Sequence, residues 1–251
     1  MPAPSAAVRL GRWLFRWRGL TPIPVVAGLL ALEGVSLRHP HADAARGVRL
    51  ALGLLFCLLG QALRAWIRGV VPEGTSSATR ALSAGSLNTE GAYRFTRNPL
   101  YLGNLLLCAG LLLQIDSPLA WLLGLGFFFG EYHFIIRSEE DFLLERFGDR
   151  YRRFLAEVPR FWPRLSPAPS DGGAARFDAA RALRSEHNVA AAWLAGLLAV
   201  SALHAFARVP GLASIVPQLA ALAALGGAYL IVKGWKRGWW LRPKTPSPQL
   251  P

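Results

Sequence analysis

Six apolar stretches, each approaching the length of a bilayer crossing, leave this chain few folds. They run from about Pro22 to Leu37, Val48 to Val71, Pro99 to Ile115, Pro118 to Ile136, Val189 to Phe206 and Gly211 to Val232. A helix crosses the hydrocarbon core with about 20 predominantly apolar residues. It also satisfies its own backbone polar groups, which lipid cannot do. Hydrophobic residues make up 53% of the chain and the mean hydropathy is +0.30, high for a soluble protein. The expected fold class is all-α: a polytopic transmembrane bundle of about six spans, with short cytoplasmic helices after the fourth.

The net charge of +13 raises nucleic acid as a partner. The membrane class gives the same charge another reading, as cations gathered on the cytoplasmic side. With both termini inside and six spans, 24 of the 28 Lys and Arg residues fall on the inside and 4 on the outside. That asymmetry predicts cytoplasmic termini, and membrane lipids rather than nucleic acid as surroundings. The expected location is integral to a bacterial inner membrane. Residues 1–20 form a basic amphipathic stretch suited to a membrane surface. The apolar run after it contains Glu33 and lacks a cleavage site, so it reads as a retained anchor. Tryptophans and cations alternate in the tail from Lys233 to Lys244, an interfacial anchor pattern. Cys57 and Cys108 sit within apolar runs and read as core residues. No metal-ligand spacing, phosphate loop or nucleophile elbow is present, and Gly124-Leu-Gly126 lies inside an apolar span with no strand before it.

Four segments are expected. Residues 1–86 carry the amphipathic stretch and two spans, and 87–165 the core hairpin with its polar flanks. Residues 166–186 form a linker, Ser166 to Gly173, and a surface helix from Ala174; 187–251 hold the last span pair and the tail. The chemistry is concentrated in the second segment. One polar block reads Gly91-Ala-Tyr93-Arg94-Phe-Thr-Arg97-Asn98-Pro99-Leu-Tyr101-Leu102-Gly103, where the third span begins. The other runs from Arg137 through Glu139 and Glu140 to Phe147, Gly148 and Tyr151, where the fourth span ends, and closes with Val158-Pro159-Arg160. Leu143, Leu144 and Phe147 have helical spacing, Gly148 is a C-terminal stop, and Asp149 can cap a further short helix ending before Pro159. The third and fourth spans are antiparallel, so the two blocks meet at one membrane face. Charges near a span need a partner or a purpose. Arg94 or Arg97 with Glu139 or Glu140 can form an ion pair at the hairpin mouth. The same groups can hold a zwitterion, with Arg on its carboxylate and Glu on its ammonium.

The two blocks, in this order with a span pair between them, resemble the integral-membrane methyltransferases: the isoprenylcysteine carboxyl methyltransferases and the phospholipid N-methyltransferases. The resemblance covers about Leu87 to Pro163. It implies an S-adenosylmethionine site at the cytoplasmic face. By that resemblance Tyr93, Arg94, Arg97, Asn98, Pro99, Tyr101, Leu102, Gly103, Glu139, Glu140, Tyr151 and Arg160 bind the cofactor, and Arg97 and Glu140 are the catalytic pair, with Glu140 on the methionine ammonium. Many members of the family have His where this chain has Asn98, which keeps hydrogen bonding and loses the titratable ring. Gly103 has a second reading in close helix packing, Pro99 as a first-turn helix proline, and Tyr101 as an interfacial tyrosine.

Methyl transfer from a sulfonium needs alignment and exclusion of water, and no metal. A carboxylate acceptor needs only orientation, whereas an amine must first lose a proton. Glu131, Glu139 or Glu140 are then the candidate bases, with His133 and Glu33 as further titratable groups in the spans. The expected acceptor is a lipid or lipid-linked small molecule. The rival readings are a nicotinamide-dependent membrane reductase of the sterol-reductase type and a non-enzymatic lipid transporter or scaffold.

Overall fold

In the computed structural model, residues 5–37, 46–71, 84–169 and 176–237 are described. They form seven α-helices: α1 (Ala6–Trp17), α2 (Pro22–Ser36), α3 (Arg46–Val70), α4 (Pro99–Leu112), α5 (Pro118–Glu157), α6 (Ala179–Arg208) and α7 (Val216–Lys236). Short 3-10 turns stand at Gly91–Arg94 and Leu212–Ile215, and the described residues contain no strand. The all-α membrane class is therefore observed. The loop expected from Pro72 to Glu90, the Arg38 to Gly47 connection, the linker from Ser166 and the basic tail fall largely or partly outside the described residues.

Local sequence explains most helix starts. Pro99 and Pro118 occupy the first helical turn, where a missing N–H costs nothing. Ser117 accepts from the Ala120 N–H at 3.3 Å and Asp178 from the Arg181 N–H at 2.9 Å, capping α5 and α6.

The count of six spans is not confirmed. Among the described residues four helices are long and apolar enough to cross: α3, α5, α6 and the unit Leu212–Lys236 that contains α7. A fifth crossing arises if α1 and α2, bent by 76° at Arg18 to Thr21, act together. At 14 residues α4 reaches only about 21 Å, short of the ~30 Å core. Pro99 and the turn before Pro118 cut it off at both ends.

The surface helix expected from Ala174 and the span expected from Val189 are one continuous helix, α6. Its polar first turns bury Ala182, Glu186 and His187 and leave Ala179, Leu183 and Ser185 exposed, so one face is at a surface and the other is packed. Gly148 is a break as expected: at φ 50° it bends α5, and the chain continues helically to Glu157 before Pro159.

α3 and α4 pack backbone to backbone through glycines. A Cβ on Gly60 would stand 2.7 Å from the Gly103 carbonyl oxygen, and one on Gly110 would stand 2.6 Å from that of Gly53. This is the small-residue contact that lets helices approach in lipid. Gly110→Ala is expected to force the pair apart and cost about 1–3 kcal/mol, the usual penalty for overpacking, read as a lower midpoint of thermal unfolding in detergent. α1 packs equally closely on the extension of α5 beyond its apolar run: a Cβ on Gly11 would collide with the Phe134 carbonyl oxygen, and Arg12 pairs with Asp141 at 3.0 Å. Leu10 and Trp13 on its other face are exposed, as an amphipathic surface helix requires.

Candidate active site

The two polar blocks meet, and the backbone makes the junction. The Arg97 N–H donates to the Pro159 carbonyl at 2.9 Å, Arg164 N–H to Phe95 at 3.0 Å, and Ala168 N–H to Arg94 at 2.9 Å. Buried Thr96 adds a side-chain bond to the Phe161 carbonyl at 2.9 Å. Asn98 completes this clasp, with its amide nitrogen donating to the Arg160 carbonyl at 2.7 Å. Its observed task is therefore to hold Arg160 and the chain after Pro159 against the start of α4.

Side chains then sort themselves. Arg97 Nη2 lies 3.3 Å from Glu140 Oε1, and Arg160 grips the same carboxylate through Nε at 3.1 Å and through Nη2. The ion pair expected at the hairpin mouth is thus Arg97–Glu140–Arg160. Glu139 is apart from it and accepts the Tyr101 hydroxyl at 2.8 Å. It lies beyond Ile136, where the apolar run of α5 ends, and burial pushes its carboxyl up to about 7, against the Tyr101 hydrogen bond and the Arg18 charge, which both lower it.

Arg97, Tyr101, Glu139 and Glu140 line a cavity of about 1230 Å³. Tyr93, Arg97, Asn98, Glu139, Glu140 and Tyr151 form its polar end. Val25, Val26, Leu29, Leu111, Phe127 and Phe128 form an apolar end between α2, α4 and α5. Between the two stand Arg64, Asn104, Glu131 and Tyr132. Thr21, at the bend between α1 and α2, hydrogen-bonds Glu131. Tyr132 stacks on Tyr101 with ring centroids 4.6 Å apart.

Five of the twelve expected site residues do not line this cavity. Arg94 donates through Nε to the Ala168 carbonyl at 2.6 Å and serves the clasp. Pro99 is buried in the first turn of α4, as its second reading had it. Leu102 is half-buried on α4. Gly103 is filled by α3, with Arg64 Cγ only 2.6 Å from where its Cβ would be, which is the packing reading. Arg160 acts through Glu140. His133 is exposed and edge-on to Phe134, away from the cavity, and Glu33 makes polar contacts between helices elsewhere.

Sequence reasoning passed over Arg64, Arg68, Asn104, Tyr132 and Arg18, all of which line the cavity. For Arg64 and Asn104 a signal existed: a charge and an amide inside apolar runs need a partner. For Tyr132 none did, because its place depends on how α5 faces α4.

The fold and the cavity define an integral membrane protein of helices that brings a charged pocket to one end of its bundle and an apolar chamber behind it. Residues 48–150 match the phospholipid methyltransferase family, the same group of membrane methyltransferases that the two blocks resemble. The matched segment supplies α3, α4 and most of α5, hence Arg64, Arg97, Tyr101, Glu131, Glu139 and Glu140. No curated protein and no solved structure matches the chain significantly.

Proposed function

We propose that this protein is an S-adenosylmethionine-dependent methyltransferase that modifies a lipid or lipid-linked acceptor at the cytoplasmic membrane face. The observation that carries this reading is the union, in one cavity, of a zwitterion-matched polar end and an apolar chamber between membrane helices. The volume of about 1230 Å³ exceeds the roughly 300–1,000 Å³ of a pocket for one small molecule, leaving room for donor and acceptor together.

The polar end fits the donor. Among the described residues, Arg97 Nε is buried with no hydrogen-bond partner, and a carboxylate would satisfy it. Glu139 suits the ammonium better than Glu140, because Glu140 is already compensated by two guanidiniums. When bound, S-adenosylmethionine supplies an electrophilic methyl group. The chain's own residues do the rest. Arg97 and Glu139 fix the donor's charged end, Glu140 and Arg160 hold Arg97 in place, and the apolar chamber takes the acceptor's chains and excludes water. The family match favours a phospholipid-like acceptor over a prenylated cysteine. For an amine, Glu131 is the carboxylate placed to take the proton: it is 6% exposed, lines the middle of the cavity and is oriented by Thr21.

The test is calorimetric binding of S-adenosylmethionine and S-adenosylhomocysteine to detergent-purified protein, alongside NADPH. Saturable binding of the adenosyl ligands supports the reading; binding of NADPH alone replaces it with a reductase. The pH dependence is a second check. Glu139 ionises only as pH rises through about 7, and a bound cation favours the ionised form. Donor affinity should therefore rise from pH 6 to 8, by up to about tenfold per unit at its steepest. Glu139→Gln should flatten that profile; an unchanged slope in the variant would assign the titration to another group.

A further inference from the structure

α6 lies wholly outside the matched segment, yet Glu186 near its start is only 3% exposed and is bonded to the cavity wall. Its carboxylate accepts from Arg64 Nε at 2.7 Å and Nη2 at 3.0 Å, with Gln61 Nε2 at 3.4 Å and Arg68 Nε at 3.6 Å. The two bonds from Arg64 fix the plane of its guanidinium. The remaining nitrogen, Nη1, donates to Asn104 Oδ1 at 2.5 Å and to the Leu100 carbonyl at 3.3 Å.

Donor and acceptor roles follow from this order. A guanidinium only donates, so Asn104 presents its oxygen to Arg64 and its amide nitrogen to the other side. On that side Nδ2 donates to the Tyr132 hydroxyl at 2.6 Å. The phenol oxygen thus accepts from Asn104, and its one proton is left to donate elsewhere. Arg64, Asn104 and Tyr132 all line the cavity, between the polar end and the apolar chamber. An amide can turn over with almost no change in shape, so the direction of this relay depends on the cation that Glu186 holds.

We propose that Glu186 is a positioning residue for the methyl acceptor: by holding Arg64 it sets the Asn104 amide so that Tyr132 donates its hydroxyl hydrogen to an oxygen of the acceptor headgroup. This rests on the methyl-transfer reading above. It also gives α6 a part in the reaction that the matched segment alone does not contain.

The experiment uses the full chain in vesicles of phosphatidylethanolamine and phosphatidylglycerol, with S-adenosylmethionine labelled in its methyl group. Two quantities are read: the apparent KM for phosphatidylethanolamine and the Kd for S-adenosylhomocysteine. Tyr132→Phe removes the proton. Asn104→Asp keeps an oxygen toward Arg64 but sets a second one against Tyr132, which must then donate to it. Each of these, and Glu186→Gln, is expected to raise the acceptor KM about tenfold, the worth of one oriented hydrogen bond, while donor Kd stays within about twofold. Glu186→Asp should recover part of the loss. The double variant Asn104→Asp/Tyr132→Phe should be no worse than either single one, because both interrupt one path. An acceptor KM unmoved by Asn104→Asp and Tyr132→Phe, or additive losses in the double variant, overturns the relay. Asn104→Asp decides the matter if Glu186→Gln does not fold, since the added carboxylate lies between Arg64 and Tyr132. Wild-type protein that binds S-adenosylhomocysteine but methylates none of these lipids overturns the phospholipid acceptor, and the acceptor role with it; wild-type protein that binds no adenosyl ligand overturns the methyl-transfer reading itself.

Discussion

Arg97→Ala is expected to weaken S-adenosylhomocysteine binding on the order of 100-fold while leaving the fold intact, because a lost charge-assisted contact to a buried group costs about 2–5 kcal/mol. The split between binding and stability follows from where Arg97 is attached. Its backbone N–H, not its side chain, joins the clasp to Pro159, so truncation leaves the clasp standing. Its partner Glu140 keeps the two bonds from Arg160 and is not left as an uncompensated charge. What disappears is a guanidinium that is 13% exposed at its side chain, with Nε buried and without a hydrogen-bond partner. Glu140→Gln should weaken binding less, about tenfold, since it loosens the hold on Arg97 without removing it. Calorimetry on both variants, with thermal unfolding as the control, separates these outcomes. Unchanged affinity in a folded Arg97→Ala protein would place the donor elsewhere and return the Arg97–Glu140 pair to a purely structural role.

Much of this architecture is written in local sequence. Apolar runs gave the membrane class, Pro99 and Pro118 marked helix starts, and Gly148 marked the break in α5. The meeting of the two polar blocks followed from chain direction alone, since antiparallel neighbours joined by a short turn bring their far ends together. What local sequence did not carry is which face of a helix looks where. Gly103 and Leu102 sit in the same motif as Tyr101, but α4 turns Gly103 toward α3 and leaves Tyr101 on the cavity. Glu139 and Glu140 are adjacent in sequence and chemically alike. Only the packed structure shows that one is shared between two arginines while the other holds a tyrosine hydroxyl. The count of six spans goes unconfirmed for a related reason: hydropathy does not register that a proline and a turn leave α4 only 14 residues long. Glu186 was hidden most deeply, because its main partner, Arg64 in α3, is 122 residues away.

The largest loss of stability is expected at the other end of the bundle, from Asp116→Ala. Glu186 and His204 are both on α6, separated by about 27 Å of helix, so the cluster around His204 is remote from the polar end of the cavity. There Asp116, in the turn between α4 and α5, receives Arg46 Nη1 at 3.1 Å and is bonded by Arg49. Arg46 Nη2 stands 2.7 Å from His204 Nδ1, and His204 Nε2 is 2.6 Å from Glu33 Oε1. Since arginine only donates, His204 accepts at Nδ1 and donates at Nε2 to Glu33. Glu33, with no exposed surface, closes the circuit by accepting the Asp116 backbone N–H at 2.7 Å. One network thus ties α2, α3, the α4–α5 turn and α6. Removing Asp116 leaves two partly buried arginines without their carboxylate, and losing two charge-assisted bonds at about 1.5–3 kcal/mol each costs about 3–5 kcal/mol. For a chain of this size that corresponds to a fall in the unfolding midpoint of about 10 °C. Donor affinity, measured below the transition, should stay within about twofold, because additivity holds for sites this far apart. His204→Ala should cost less, about 1–3 kcal/mol, as it orphans one hydrogen bond of Glu33 but leaves Asp116 with both arginines. A midpoint unmoved by Asp116→Ala would mean that water or lipid headgroups already satisfy Arg46 and Arg49, and that the network does not hold the helices together. A loss of donor affinity in the same variant, with the fold intact, would instead show that this end of the bundle is coupled to the cavity through α6.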